Sequence, residues 1–398
     1  MAVARTSWWR VGLICLVGVT AALQIGKVPV ELPAIERELR LGLFENGLII
    51  SIFSLIAALG GIFVGALAAR FGNVRQIVAG LALGGLAGLA GSFAAGGPAL
   101  LASRVVEGLG FILATTATPS LLVGEAGEPD RGRALGLWSM YMPAGMSAMM
   151  VVAALIGEMA GWRGIWRLTA LCNLVYALVV WLVFGGRGTS LAAATRTATS
   201  FMELFAAALR PGPLLLAACF LAYAGNFLAL TGFLPLMLQM RGEASPALAG
   251  LLTAFVVAAN MLGNAASGYI AGRGLERPYV IALASVAMGL CAVGVFADTL
   301  PFGLRYGLAL AFSAVGGVIP GTCFGVAQSL AASPAKAGPI FGGLIQGSGI
   351  GQLVGPPIVA ATVEAAGNWR AAAGFLAIAA LVNAGLALAL GRVAPKAR

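Results

Sequence analysis

Histidine is missing from all 398 residues of this sequence. Its absence removes the commonest metal ligand and the usual carrier of a proton near neutral pH, so any proton chemistry rests on carboxylates. Charge is scarce too: Asp, Glu, Lys and Arg make up 10% of the chain, against about 25% in a soluble protein. With 60% hydrophobic residues and a mean hydropathy of +0.97, a water-soluble globule is excluded. The five cysteines (Cys15, Cys172, Cys219, Cys291 and Cys323) are scattered through apolar segments with no CxxC pair. That spacing reads as packing rather than a disulfide framework or a thiolate metal site. No nucleophile–base pair or nucleotide-binding loop is apparent. GLAGLAG at 85–91 falls inside an apolar run, where glycines serve close helix packing. No cofactor and no enzymatic chemistry are expected.

What the sequence has is apolar length. Runs of roughly 20 residues, enough to cross a hydrocarbon core of about 30 Å, recur from end to end. They fall near 11–32, 46–69, 76–95, 99–122, 133–157, 164–184, 212–238, 247–271, 278–297, 303–330, 338–363 and 369–391. The expectation is an all-α integral membrane protein of twelve transmembrane helices. With the N-terminus inside, the inner loops and tails, from Arg5 to Arg398, hold fifteen of the 24 basic residues and five of the 14 acids. The positive-inside rule therefore accounts for the whole net charge of +10. The basicity reports topology and a lipid bilayer, not nucleic acid.

The longest polar stretch, GGRGTSLAAATRTATSFMEL from Gly185, divides the chain. It reads as a linker with a short amphipathic piece from Phe201. This gives an N-terminal six-helix bundle at 1–184, a cytoplasmic linker at 185–211 and a C-terminal six-helix bundle at 212–398. The two sides repeat. Pro33 and Pro235, each closing a first helix, are offset by 202; Gly65 and Arg70 match Gly268 and Arg273 at 203; Arg104 and Pro119 match Arg305 and Pro320 at 201. GEMAGWR (157–163) and VEAAGNWR (363–370) precede the sixth and twelfth helices. Parallel six-helix repeats are the architecture of a large class of secondary transporters, with the substrate site near the midplane between the halves.

After the second helix the sequence reads GALAARFGNVRQ (65–76). It resembles the signature loop of the major facilitator superfamily, G-x-L-a-D-R-x-G-r-[RK], through Gly65, Leu67, Arg70, Gly72 and Arg75, with Ala69 where the family has Asp. GYIAGRGLERP (268–278) is a looser second copy through Gly268, Gly272, Arg273 and Arg277. RVVEGLG (104–110) is similar to the family's R-x-x-x-G motif, often tied to proton coupling, and GLWSMYMPAG (136–145) is similar to the Gly/Pro motif of its antiporter branches. The resemblance implies two pseudo-symmetric six-helix bundles working by alternating access, with Gly65, Arg70, Gly72, Arg75 and Arg273 in conformational gating. It implies a monomer in a bacterial cytoplasmic membrane, both termini cytoplasmic. It also implies that the first, fourth, seventh and tenth helices line a central cavity.

Ionisable residues inside membrane helices are functional candidates by default, because burying them is costly unless they are paired or hydrated. Lys27, Arg104 and Glu107 lie deepest, all in the outer half. Thr20, Gln24, Lys27 and Glu31 form one polar stripe along the first helix. With the family's cavity in mind, the expected substrate-binding residues are Gln24, Lys27, Arg104, Tyr141, Tyr223, Asn226, Asn260 and Gln346, and the proton-coupling residues are Glu107 and Glu31. Other roles are open to the same residues. Lys27 can snorkel outward or pair with Glu31, Arg104 can pair with Glu107, and the Asn and Gln side chains can be polar glue. Trp162 and Trp369 read as membrane-interface residues. Lys27 and Arg104 outweigh Glu107 by one positive charge, which favours an anionic solute, with protons as the coupled partner. When that anion takes Arg104, Glu107 is released to accept a proton. The alternative is a proton-antiport exporter of drugs or metabolites, suggested by the methionine-rich fifth helix (Met140, Met142, Met146, Met149 and Met150).

Overall fold

The computed structural model describes residues 6–185, 206, 208–273, 275–330 and 334–393. Among the described residues, the helical segments group into twelve that run back and forth. They are α1 (Trp8–Leu39), α2 (Leu43–Ser51 continuing as Leu55–Phe71), α3 (Asn73–Gly91), α4 (Gly97–Glu125), α5 (Arg131–Ser139 continuing through 141–160) and α6 (162–184). Then come α7 (Pro211–Met240), α8 (Pro246–Gly272), α9 (Arg277–Val295), α10 (Phe302–Gly316 and Val318–Leu330), α11 (Pro334–Ala366) and α12 (Arg370–Val393). Ten stretches among the described residues are long and apolar enough to cross a membrane, and the longest of these, Arg133–Phe184, is two helices joined at a break. The amphipathic piece expected from Phe201 and most of the linker lie outside the described residues.

The break is Gly161, at φ 65° and ψ 164°, a conformation essentially reserved for glycine. The sequence repeat suggests a loop at 158–163, but this one residue makes the whole turn. Its counterpart Gly367 has φ 67°, so the duplicated sequence folds into a duplicated corner. Both corners are tied down the same way. Arg163 pairs with Glu38, and Arg370 Nε donates to Asp298 Oδ2 at 2.5 Å. The tryptophans beside them are buried in the protein rather than turned outward. Trp162 is buried, with Nε1 donating to Glu38 Oε2 at 2.6 Å, and Trp369 packs against Phe233.

Helix α1 also departs from its sequence reading. Pro33 does not end it: the helix continues six residues to Leu39, and Arg40 then turns left-handed at φ 54°. Pro29 and Pro33 remove two donors from the ladder, leaving the Ile25 and Pro29 carbonyls without their helical N–H partners, and Arg37 Nε donates to the Pro33 carbonyl at 3.1 Å. Within the N-terminal half, α1 packs on α4 and on the α5–α6 pair, and α3 packs on α4 and α6. Within the C-terminal half, α7 packs on α11 and α12, and α9 on α10 and α12. The halves meet along two seams, α2 against α11 and α5 against α8. At the end away from the chain termini, Ile50 of α2 packs on Gly232 of α7, and Val30 and Ala154 pack on Gly250 of α8. The largest core cluster is shared by both halves there.

Candidate functional site

Four of the residues singled out in the sequence come together. The stripe on α1 turns into its own half, toward α3, α4 and α6. Lys27 Nζ donates to Glu107 Oε1 at 3.0 Å and to Gln24 Oε1 at 2.5 Å, and lies 3.5 Å from Thr169 Oγ1. It also sits 4.3 Å from the ring centroid of Trp166. Arg104 pairs with the other oxygen of Glu107, and its Nη1 donates to the Gln24 carbonyl at 2.8 Å. Gln24 Nε2 in turn donates to the Gly84 carbonyl of α3 at 3.2 Å. Lys27, Arg104 and Glu107 are all 0% exposed, which rules out snorkelling for Lys27.

One carboxylate thus serves two cations in a site sealed from solvent, with a formal charge of +1 when all three are ionised. Such a charge set is costly to bury, and the hydrogen bonds that the two cations donate to Gln24, Thr169 and the backbone offset part of that cost. The set is not fully satisfied. Arg104 Nε and Nη2 and the indole nitrogen of Trp166 are buried without a partner. A guanidinium with two free N–H groups is a fork for an oxyanion.

The other expected residues lie elsewhere. Glu31, the fourth member of the stripe, does not pair with Lys27; its carboxylate packs beside Gly157 of α5. Tyr141 stacks on Trp138 with centroids 4.3 Å apart, and both rings lean on Gly18 of α1. In the C-terminal half the chemistry is neutral. Asn260 Nδ2 donates to Tyr223 Oη at 3.0 Å and to the Ser313 carbonyl at 2.9 Å, and Asn264 Nδ2 donates to Asn260 Oδ1 at 2.9 Å. Asn226, the repeat counterpart of Gln24, donates to the Leu376 carbonyl of α12 at 3.1 Å. Gln346 reaches across the α2–α11 seam, its Oε1 3.5 Å from the amide of Ile62. Of the loop residues, Gly72 has φ 84°, Arg75 is exposed, and Arg273 lies against the Tyr269 ring and hydroxyl. Gly65 and Arg70 sit on the last turns of α2, where only the backbone is described.

Four contributors were not singled out from sequence: Trp166, Thr169, Asn173 and Phe53. Thr169 and Asn173 stand one turn apart on α6, and Asn173 Nδ2 donates to the Thr20 carbonyl of α1 at 3.2 Å. That i, i+4 polar pair on an apolar helix is the signal that points to α6. Phe53 covers the Arg104 guanidinium at 4.6 Å from its Cζ, and no pattern in the sequence marks it.

Comparison with known proteins places this arrangement in context. A family model described as Major Facilitator Superfamily matches residues 14–346. The 3-(3-hydroxy-phenyl)propionate transporter of Escherichia coli K12 is 27% identical over 255 residues, 63% of this chain and 61% of that protein. The arabinose-proton symporter of the same organism is 28% identical over 166 residues, 42% of this chain and 35% of that protein. The methyl viologen resistance protein SmvA of Salmonella typhimurium LT2 is 30% identical over 179 residues, 44% of this chain and 34% of that protein. The matches thus span from about a third to three fifths of these relatives' own lengths. Among solved structures, a bacterial homolog to the human lysosomal transporter Spinster, in an inward-facing and occupied conformation, superposes with a TM-score of 0.77. That likeness covers 96% of each chain at 16% identity and carries the fold alone.

Proposed function

We propose that this chain, which belongs to the Major Facilitator Superfamily, uses the Lys27–Glu107–Arg104 cluster to move a small anion together with a proton. As a member of that family it is a multi-pass membrane transporter and not an enzyme. The observation that carries the anion reading is Arg104: a fully buried guanidinium with two unpaired N–H groups, in a cluster with more cations than carboxylates. An anion with two oxygens supplies the missing acceptors. It also competes with Glu107 for Arg104, and the displaced carboxylate, still buried, is stabilised by taking a proton. The loaded cluster, with anion and proton both bound, then has the same net charge as the empty one. Its burial cost is therefore alike in both states that must cross between the two sides of the membrane.

In this reading Gln24 orients Lys27, while Tyr141, Tyr223, Asn226, Asn260 and Gln346, which lie apart from the cluster, offer neutral contacts to the solute at other stages of its passage. Glu31 is a second carboxylate for proton transfer along α1. Gly65, Arg70, Gly72, Arg75 and Arg273 serve the change of state. The transporter works as a monomer in a bacterial cytoplasmic membrane, with both termini on the cytoplasmic side as the basic residues direct. Against the exporter reading, three of the five methionines that suggested it, Met146, Met149 and Met150, are packing residues at 0–2% exposure.

A thermal-shift screen of the purified protein in detergent separates the two readings, since a ligand that binds the folded state raises the melting temperature. Stabilisation by small carboxylates, lost in Lys27→Ala, is the expected result. Stabilisation by lipophilic cations, the same in both proteins, would instead indicate the exporter.

A further inference from the structure

Phe53 occupies an unusual position. It sits in the 3-10 turn Ile52–Ser54, which interrupts α2. On one side its ring lies 4.6 Å from Arg104 Cζ and 5.2 Å from the ring of Phe111. On that side too, its carbonyl oxygen rests 1.8 Å from where a Cβ on Gly108 would stand, so α2 reaches α4 only because residue 108 has no side chain. Arg104 and Gly108 are the two ends of the R-x-x-x-G pattern, and Phe53 is clasped by both. On the other side the turn is tied to the C-terminal half. Ser54 Oγ donates to Gln352 Oε1 of α11 at 2.8 Å, and Gln352 Nε2 donates to Ser348 Oγ at 3.0 Å.

We infer that Phe53 is the specificity-determining cover of Arg104, and that the Ser54–Gln352 hydrogen bond sets its position from the opposite half. The inference rests on the anion reading of Arg104 and names the class of anion: a carboxylate, whose two coplanar oxygens fit the free Nε and Nη2 edge. The physical argument is one of mechanical linkage. A 3-10 turn is a tight, poorly bonded segment that converts readily to α-helix, and such a conversion rotates the side chains it carries. The bond that Ser54 donates to Gln352 holds that turn at a buried seam between halves, where an unmade hydrogen bond is costly. Movement of α11 along α2 breaks or remakes the bond, moves Phe53, and thereby uncovers or covers the guanidinium. Anion entry at Arg104 and the relative position of the halves are coupled through one aromatic ring.

Phenylglyoxal, which modifies exposed guanidinium groups, provides the test, with the extent of Arg104 modification read by peptide mass spectrometry on the full-length protein in detergent. Arg104 in the wild type is expected to react slowly. Phe53→Ala and Gln352→Ala should each speed its modification at least about fivefold, as expected when a local opening is favoured. Gln352→Ala leaves the aromatic cover in place, so it carries the test if Phe53→Ala fails to fold. Acetate, and not chloride, should slow the reaction in both variants. A wild-type rate in Gln352→Ala would overturn the linkage between halves, and a wild-type rate in folded Phe53→Ala would overturn the cover itself. Fast labelling that acetate does not slow would instead count against the carboxylate and against the anion reading, while leaving the cover standing.

Discussion

At the scale of single residues, the three buried charges have unequal roles. Among the described residues, Glu107 is the only counter-charge in contact with Lys27 and Arg104. Removing it leaves two cations together in a sealed site, and breaking a buried pair from one side costs about 3–5 kcal/mol. Removing Lys27 instead leaves Arg104 and Glu107 as a neutral pair. Glu107→Gln is therefore predicted to destabilise the protein by about 3–5 kcal/mol, and Lys27→Gln by clearly less. Unfolding of both variants in detergent checks the order, and equal losses would contradict it. Part of this site was legible in the sequence. The Arg104–Glu107 pair follows from spacing of three on one helix, and the stripe of Gln24 and Lys27 follows from periodicity. That Lys27 reaches Glu107 rather than Glu31 was not legible, because helix rotation is set by packing. The bond from Gln24 to Gly84 of α3 and the Trp166 ring over the ammonium are features of the assembled bundle.

At the scale of elements, the corners decide how helices meet. Gly161 has open space where a Cβ would go, so its substitution isolates the backbone. Gly161→Ala should cost about 1–3 kcal/mol from φ 65° alone. Thermal unfolding measures it, and a neutral result would mean that α5 and α6 are not joined by this conformation. The matching corner at Gly367 is held by Asp298, which contacts Arg370 at 2.5 Å and Arg241 at 2.9 Å. The hydrogen bond from Arg370 first, and the nearby charge of Arg241 and others after it, hold the Asp298 carboxyl below its ordinary value of 3.8. A depressed carboxylate stabilises the fold above that value and ceases to do so as the pH falls through it. Asp298 is nearly half exposed, so the effect is within about 1 kcal/mol. The difference in melting temperature between wild type and Asp298→Asn should be constant from pH 7 to about 5 and shrink below about 4; a difference that widens on acidification would contradict the assignment. Element boundaries were only partly legible. Proline marks a lost donor, which is why Pro33 suggested an end to α1, but the helix tolerates that loss and runs on to Leu39. The paired Gly161 and Gly367 corners, by contrast, were foreshadowed by the duplicated sequence itself.

At the scale of the whole molecule, composition and repetition carried the most information. Apolar length, charge asymmetry and the offset of about 200 residues lead to twelve helices in two matched halves, and the all-helical fold of the described residues is consistent with that count. The halves have diverged in chemistry: the N-terminal one buries ions and the C-terminal one buries amides and a phenol. Transport on this account begins with ionic exchange in one half and is reported to the other across the α2–α11 seam. The most direct test of the central claim uses proteoliposomes and a radiolabelled carboxylate that stabilises the wild type. Accumulation driven by an imposed pH gradient is compared with counterflow of the same solute in the absence of a gradient. Glu107→Gln is predicted to lose the gradient-driven accumulation and to retain counterflow, because solute still binds and crosses but no proton travels with it. Gradient-driven accumulation persisting in that variant would contradict the account and remove Glu107 from the coupling.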